Sequence, residues 1–185
     1  MNTRIPLIAG VAPRVGTSTL AAALHAEDGG VLGQAADVVV CGSAAESLRA
    51  AAAVICPGRG PRPVLAVVGP RVAPLPPVLR TLFSAVVEIP RVQRWEGAAT
   101  PVGEAAEVLA EEPDVLDPPL RPYSAGLRAV VAALVGSGQL TAGSPPMVIR
   151  PRRAEPLRTA PAPGRHRMRP EIRIVDGPQP GARFA

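Results

Sequence analysis

Apolar residues in the first 140 positions fall into short continuous runs, separated by longer segments whose apolar positions recur with helical spacing. The short runs are rich in Val and Ile and end at glycine or proline, which is typical of buried parallel strands. They predict strands over Arg4–Ala9, Asp37–Cys41, Pro63–Val68 and Ala85–Ile89. The alternation of strands and helices predicts an α/β fold, with a short, mostly parallel sheet of about four strands covered by helices.

The intervening segments predict the helices. Ser43 followed by Glu46 is a capping-box pattern, in which each side chain binds a free backbone N–H at a helix start. Glu27 and Asp28 follow the first helix and are interpreted as a solvated turn. The predicted helices span Thr17–His25, Ser43–Ile55, Pro76–Phe83, Pro101–Ala110 and Arg121–Val135.

The C-terminal part of the chain has a different character. Residues 145–185 contain nine prolines and nine arginines but few large apolar groups. Such a segment buries too little surface to offset its chain entropy, which predicts disorder. We therefore expect an α/β domain over residues 1–140 and a disordered Arg/Pro-rich tail over residues 141–185. Within the tail, Glu171–Val175 alternates Ile and Arg and is a candidate strand for a partner's sheet edge.

Charge is distributed unevenly along the chain. All 20 basic residues are arginines, so no step that needs an ammonium side chain can occur, and the composition indicates a GC-rich genome. Residues 1–144 carry 11 arginines and 12 acidic residues, a net −1, whereas residues 145–185 carry a net +6. The tail is either a solvated tether or a weak electrostatic contact for nucleic acid, an acidic partner or an anionic surface. The arginines in question are Arg150, Arg152, Arg153, Arg165, Arg167 and Arg169.

The sequence shows no targeting pattern, and together with the cysteine usage this predicts a cytoplasmic protein. No apolar run reaches the ~18 residues of a membrane span, and prolines and glycine interrupt the N-terminal apolar stretch, unlike a signal peptide. Cys41 and Cys56 belong to no metal or disulfide pattern and are interpreted as small buried hydrophobes. Trp95, in an Arg-rich stretch after the last strand, is either an interface anchor or a cover over the sheet end, and we favour the second.

The segment from Ile8 to Leu20 contains the candidate site. Glycines between a strand and a helix let backbone N–H groups curl around a phosphate, as in a P-loop. The strict P-loop places a lysine and a hydroxyl residue directly after its last glycine; here threonine stands in the lysine position, and the first glycine lies one position from the strict spacing. The candidate binding residues are Gly10, Arg14, Gly16, Thr17, Ser18 and Thr19. No catalytic and no metal-ligating residue is predicted.

This loop, especially Val15–Leu24, resembles the opening of ParA/MinD-type ATPases and is most similar to the CpaE/TadZ-like branch. Ala36–Ala50, Pro63–Gly69 and Val86–Pro90 are weakly similar to later strands and helices of that family. The resemblance implies a P-loop NTPase-like domain with a positioning or scaffold role near a secretion or pilus-assembly ATPase, or in partition machinery. It also implies a protein partner, either that ATPase or a second copy.

The chain departs from the family in ways that point away from catalysis. Both signature lysines are missing, since Ala12, Pro13 and Arg14 stand where the first is expected. Only about a dozen residues separate the first helix from Asp37, too few for the strands that carry the catalytic aspartates. We therefore expect a truncated, non-catalytic protein with no required cofactor. Two alternatives stay open: a regulatory protein whose tail contacts nucleic acid, and a weak nucleotide-binding protein that binds ATP and magnesium through Gly16–Thr19 and receives its catalytic groups from a partner chain.

Overall fold

The computed structural model describes residues 4–33, 35–55, 60–70, 74–96 and 101–141, together with the backbone of 147–148 and 150–151. Within these ranges the chain alternates strands and helices, as expected. The strands are β1 (Leu7–Gly10), β2 (Glu27–Val31), β3 (Ala35–Ala36), β4 (Val38–Gly42), β5 (Val54–Ile55), β6 (Val64–Val68), β7 (Ala85–Ile89), β8 (Met147–Val148) and β9 (Arg150–Pro151). The helices are α1 (Thr17–Ala23), α2 (Ala45–Ala52), α3 (Pro77–Leu82), α4 (Pro101–Glu107) and α5 (Leu120–Gly136), with a 3-10 turn over Gln93–Trp95.

The main sheet in the described part of the chain has five parallel strands in the order β2-β1-β4-β6-β7. Counting these five strands along the chain gives the order 2-1-3-4-5, which is the order of flavodoxin-like sheets. The α/β class and the mostly parallel sheet were predicted correctly, but the number of strands was underestimated by one. The additional strand is β2.

Strand β2 corrects the interpretation of Glu27 and Asp28 as a turn. Both residues lie in an exposed edge strand, with Glu27 opposite Leu7 and Asp28 opposite Ile8. Its sequence, Glu-Asp-Gly-Gly-Val, is poor in residues that favour strands. The extended conformation of β2 therefore depends on its pairing with β1 and not on local propensity. Gly30 breaks the register at φ 65°, and its N–H donates to Asp28 Oδ1 at 2.8 Å. Such an irregularity at a sheet edge discourages pairing with other chains.

Side chains alternate between the two faces of the sheet and build two cores. Ile8, Val38, Val40, Val64 and Ala66 face α1, α4 and α5. The intervening residues, including Val39, Cys41 and Leu65, face α2 and α3. Because every central strand is buried on both faces, its sequence is a continuous apolar run, and this is why these strands could be recognised.

Several helix ends differ from their predicted positions. Helix α2 ends at Ala52, and Val54–Ile55 forms β5 where the helix was expected to continue, while α4 ends at Glu107 instead of Ala110. Helix α1 stops at Ala23 because His25 adopts a left-handed backbone with φ 48°. The N–H groups of Ala26 and His25 then bond back to the carbonyls of Ala21 and Ala22, which is the Schellman arrangement. The residue in the left-handed position is usually glycine, so the stop signal was hidden.

The predicted capping box at the start of α2 was wrong. The helix begins one residue later than a Ser43 cap allows, with Ala44 in the capping position and no side-chain cap bond. The hydroxyl that forms a hydrogen bond at this helix start belongs to Ser47, whose Oγ accepts the N–H of Gly42 at 2.8 Å. The end of β4 is thereby tied to the first turn of α2.

The first part of the expected tail carries two short strand pairings. Backbone pairs join β8 to β3 and β9 to β5, both antiparallel. The tail was expected to be disordered from residue 141, whereas Met147–Val148 and Arg150–Pro151 form short strands. Residues 152–185, with Arg152, Arg153 and the later tail arginines, lie outside the described residues, so their disorder stays a prediction. No helix among the described residues is long and apolar enough to cross a membrane.

Candidate functional site

The loop between β1 and α1 is held by a close packing contact around Gly10. A Cβ on this residue would lie 2.3 Å from Thr17 Oγ1 and 2.7 Å from Val15 Cγ2, so a larger residue cannot be accommodated without a shift. The N–H of Val11 donates to Val40 O at 2.8 Å, and the N–H of Leu32 donates to Gly10 O at 2.7 Å. The loop therefore leaves the sheet at a fixed point, between β2 and β4.

Two residues of this loop have left-handed backbone conformations. Arg14 has φ 62° and Gly16 has φ 97°. A non-glycine residue in this region costs of order 1 kcal/mol or more and persists only where the surroundings hold it. The Arg14 side chain is exposed, and no described residue binds it with a hydrogen bond or ion pair.

Helix α1 begins without a side-chain cap. Gly16 is the capping residue, and its carbonyl accepts the first helical bond from Leu20 N at 3.0 Å. The N–H groups of Gly16–Thr19 have no acceptor within the described ranges. Free N–H groups of this kind occur at the amino terminus of every helix. Because α1 is also only seven residues long, these groups do not by themselves define a binding site.

The hydroxyl groups of the loop are placed differently from one another. Thr17 Oγ1 is packed against Gly10, so it does not extend from the loop as a lysine would at this position. Ser18 is exposed and Thr19 is half-buried. Among the candidate residues, Arg14, Gly16 and Thr19 line both clefts described below, Thr17 and Ser18 line the larger cleft, and Gly10 lies beneath the loop.

Two adjacent clefts open beside the loop. The smaller, of ≈ 170 Å³, has apolar walls formed by Val68, Ile89 and Val92, with Trp95 and Tyr123 closing it. The larger, of ≈ 600 Å³, extends past the loop towards Gly30 and Val31. Both lie at the carboxyl ends of the parallel strands, the edge at which α/β proteins bind ligands.

Trp95 forms a wall common to both clefts. Its ring meets Tyr123 edge to face, with centroids 4.9 Å apart and planes at 85°. Its Nε1–H donates to Glu104 Oε2 at 2.5 Å, and Arg94 joins Glu104 to Asp117 by two ion pairs. The half-buried indole packs against the core after β7, which agrees with its interpretation as a cover over the sheet end. These contacts fix its position.

Of the groups with shifted pKa values, Arg94, Glu104 and Tyr123 lie around the tryptophan. The hydrogen bond from Trp95, followed by that from Arg94, lowers the pKa of Glu104. Burial raises the pKa of Tyr123, so its hydroxyl stays protonated at neutral pH. On the cleft rim, Arg91 and Glu96 approach to 3.6 Å with both side chains largely exposed, a pairing of little energetic weight.

Acidic residues are sparse among those that line the two clefts. Glu27 and Asp28 lie opposite the beginning of β1, towards the end of the sheet away from the loop. Glu96 is the carboxylate that lines the smaller cleft. No group of three or more potential metal ligands occurs among the described residues. The residues that line the clefts, with Arg14 beside apolar walls, thus fit an anion or an apolar group.

The sequence did not predict that apolar and aromatic side chains form the walls of these clefts. Val68, Ile89 and Tyr123 carried core signals alone, and Trp95 was noted for its arginine neighbours without its partner being recognised. The second cysteine and second histidine, Cys56 and His166, lie outside the described residues.

Comparisons with protein-family profiles, with curated proteins and with solved structures give no match for this chain.

Proposed function

We propose that this chain is a non-catalytic binding or scaffold protein of ParA/MinD/CpaE-like type, built on a P-loop-like strand–loop–helix. Its partner in this proposal is a secretion or pilus-assembly ATPase or a second copy of the chain. The observation that carries the proposal is the packing of Thr17 against Gly10. The side chain in the lysine position serves the folding of the loop instead of reaching outwards.

Phosphoryl transfer depends almost entirely on positioning and on stabilising charge. Mobile or metal-bound cations neutralise the transferred group, and a carboxylate or amide orients the attacking water. At this loop Arg14 is the exposed cation, and the acidic residues of β2 pair with the start of β1, at the end of the sheet away from the loop. This arrangement supports a role in binding and disfavours hydrolysis.

The catalytic part of the proposal is tested with ATP and magnesium. Phosphate release is measured for the wild type, for Gly16→Val and for Arg14→Ala, with Arg80→Ala on α3 as a matched arginine control. We expect all four proteins to release phosphate at the same background rate. A wild-type rate that falls in Gly16→Val and Arg14→Ala but not in Arg80→Ala would show that the loop is catalytic and would overturn the proposal.

The partner part of the proposal needs a separate measurement. Binding of the purified chain to a purified pilus-assembly or secretion ATPase is followed by biolayer interferometry, with serum albumin as a negative control. Saturable binding supports the scaffold role. An absence of binding to such ATPases, with the chain folded by circular dichroism, would remove this partner class from the proposal.

A second candidate function is weak binding of a phosphate-bearing ligand, and the position of Arg14 favours it. This arginine lines both clefts and lacks a partner among the described residues, so its planar guanidinium is free to pair with phosphate. Isothermal titration with ATP, ADP and inorganic phosphate tests it. Millimolar or tighter binding that is lost in Arg14→Ala but kept in Arg80→Ala would support this candidate, and no heat of binding would reject it.

A further inference from the structure

The hydroxyl group of Tyr123 has no hydrogen-bond partner within the described part of the chain. The residue is only 4% exposed, and it is one of those that line the smaller cleft. Its ring is held by the edge-to-face contact with Trp95, which leaves the hydroxyl group unbonded. Buried phenol groups usually find a hydrogen-bond partner. This hydroxyl is therefore available to a molecule that enters the cleft.

The surroundings of Tyr123 differ from those of other unpaired polar groups. Among the described residues, Ser124 Oγ and Gln139 Oε1 also lack partners, but both atoms are fully enclosed. Neither residue lines one of the two clefts beside the loop. The Tyr123 hydroxyl, by contrast, belongs to a cleft wall, so a ligand can satisfy it.

The charged residues of the smaller cleft favour an anion. They are Arg14, Arg91 and Glu96, which together carry a net charge of +1. Arg14 is exposed and is not bonded to any described residue. The pair formed by Arg91 and Glu96 is 3.6 Å apart and largely exposed, so it holds the Arg91 guanidinium only weakly. A single negative charge on a ligand would balance this set, and a guanidinium can bind a carboxylate through two hydrogen bonds.

The size of the smaller cleft restricts its ligand to a small molecule. Its volume of ≈ 170 Å³ is close to the about 150 Å³ of an engineered apolar cavity that binds benzene. Pockets for drug-sized ligands usually measure roughly 300 to 1,000 Å³. The walls formed by Val68, Ile89 and Val92 are apolar, and Trp95 adds an aromatic surface. This space fits one ring and is too small for a whole nucleotide.

We propose that the smaller cleft binds a monocyclic aromatic carboxylate with a hydroxyl group on the ring opposite the carboxylate. The carboxylate pairs with Arg14 and Arg91, which are exposed, and the ring lies against the apolar walls beside Trp95. The ring hydroxyl forms a hydrogen bond with the buried hydroxyl of Tyr123. A phosphate monoester, with a charge of about −1.5 to −2, matches the net +1 less well. The proposal goes beyond the scaffold role and does not depend on it.

Isothermal titration with 4-hydroxybenzoate tests the proposal. For a ligand of this size we expect a dissociation constant of about 1 mM or tighter. Trp95 is the single tryptophan of the sequence and lines the cleft, so its emission should change with the same dissociation constant. Neither heat nor a change in emission up to about 10 mM ligand would overturn the proposal.

The variant Tyr123→Phe tests the contact with the ring hydroxyl. Loss of one hydrogen bond should weaken 4-hydroxybenzoate binding about fivefold, whereas benzoate, which lacks the hydroxyl, should bind the variant and the wild type equally. Because the hydroxyl has no partner in the chain, the melting temperature of Tyr123→Phe should equal or exceed that of the wild type. Equal binding of 4-hydroxybenzoate to both proteins, or a melting temperature lowered by several degrees, would contradict the proposal.

Two arginine variants and inorganic phosphate test the anionic end of the ligand. Arg14→Ala and Arg91→Ala should each weaken the binding of both aromatic acids at least about fivefold, while Arg80→Ala on α3 should bind them like the wild type. Inorganic phosphate should bind the wild type more weakly than 4-hydroxybenzoate does. Phosphate binding of equal strength would show that the arginines act without the apolar cleft, which would reject this ligand class. The scaffold role is judged separately, by binding to the ATPase.

Discussion

The guanidinium of Arg4 and the carboxylate of Asp37 form a two-point ion pair at the amino-terminal edge of the sheet, with N–O distances of 2.6 and 2.5 Å. Asp37 is 1% exposed, whereas the Arg4 side chain is 22% exposed. The same carboxylate accepts the N–H of Leu7 at 2.8 Å, and the Asp37 carbonyl accepts the N–H of Val64. Asp37 thus ties together the starts of β1, β4 and β6.

This asymmetry in burial predicts unequal effects for the two partners. Arg4→Met leaves a buried carboxylate without its cation and should lower the free energy of unfolding by about 3 kcal/mol. Asp37→Asn keeps an acceptor for Leu7 and leaves a guanidinium that water can reach, so we expect a loss of about 1–2 kcal/mol. Urea denaturation measures both, with Arg80→Met as a control for an exposed arginine. Equal losses would contradict the dependence on burial.

The contact between Trp95 and Glu104 predicts an acid-induced change in fluorescence. Because the pKa of Glu104 is lowered, its charged form is favoured by the fold, and the stabilisation is fully present above the ordinary value of ~4.3. The stabilisation is lost as the pH falls through the lowered pKa. Trp95 is the single tryptophan of the sequence and reports this step directly.

The measurement is an emission titration from pH 7 to pH 2. Glu104→Gln keeps a side-chain oxygen for the indole N–H but cannot titrate, so the step below pH 4.3 should disappear. Glu107→Gln, on the same helix, should leave the step unchanged. If both variants titrate like the wild type, the signal arises elsewhere.

The close approach at Gly10 predicts a destabilising effect of a single methyl group. Gly10→Ala places a Cβ within 2.3 Å of Thr17 Oγ1, and we expect a loss of about 2 kcal/mol. The double variant Gly10→Ala/Thr17→Ala should recover part of this loss. Gly103→Ala, at a helical position with open space, is the control and should raise stability by about 0.5–1 kcal/mol. Thermal melting of the four proteins decides the sign of each effect.

Burial makes Cys41 unreactive in the folded protein. The side chain is 0% exposed, and burial raises the pKa of its thiol to about 12. At pH 8 the thiolate fraction is therefore about one in ten thousand. In a Cys56→Ser background we expect Ellman's reagent to react with Cys41 in denaturant and to leave it unmodified in buffer. Fast modification in buffer would show that the α2–α3 side of the sheet opens readily.

The central strands could be predicted because each is buried on both faces. For β7 the predicted and observed bounds, Ala85–Ile89, coincide, and β4, β6 and α5 were placed within one residue. These segments carry an apolar pattern that tertiary contacts reinforce. Strand β2 carries no such pattern, because its exposed residues pair through the backbone alone.

The walls of the candidate site could not be predicted because distant segments build them. Trp95 and Tyr123 are 28 positions apart, and their contact depends on how the segment after β7 and helix α5 pack together. Backbone strain is equally hidden, since nothing in the sequence marks Arg14 or His25 as left-handed. The loop glycines, by contrast, could be recognised from their position between a strand and a helix.

The connection from β2 to β4 has almost no slack. The connection must cross two strand spacings of ~4.8 Å each to pass β1, and it must also run back along the length of a strand. The straight-line distance between its ends is therefore roughly 19 Å. The seven Cα-to-Cα steps from Val31 to Val38 reach at most ~25 Å. The other crossovers contain helices and tolerate insertions and deletions at their loops, but removing two residues here would pull β2 out of the sheet. Evolutionary or engineered length changes should therefore avoid this segment, although its sequence looks like a short loop.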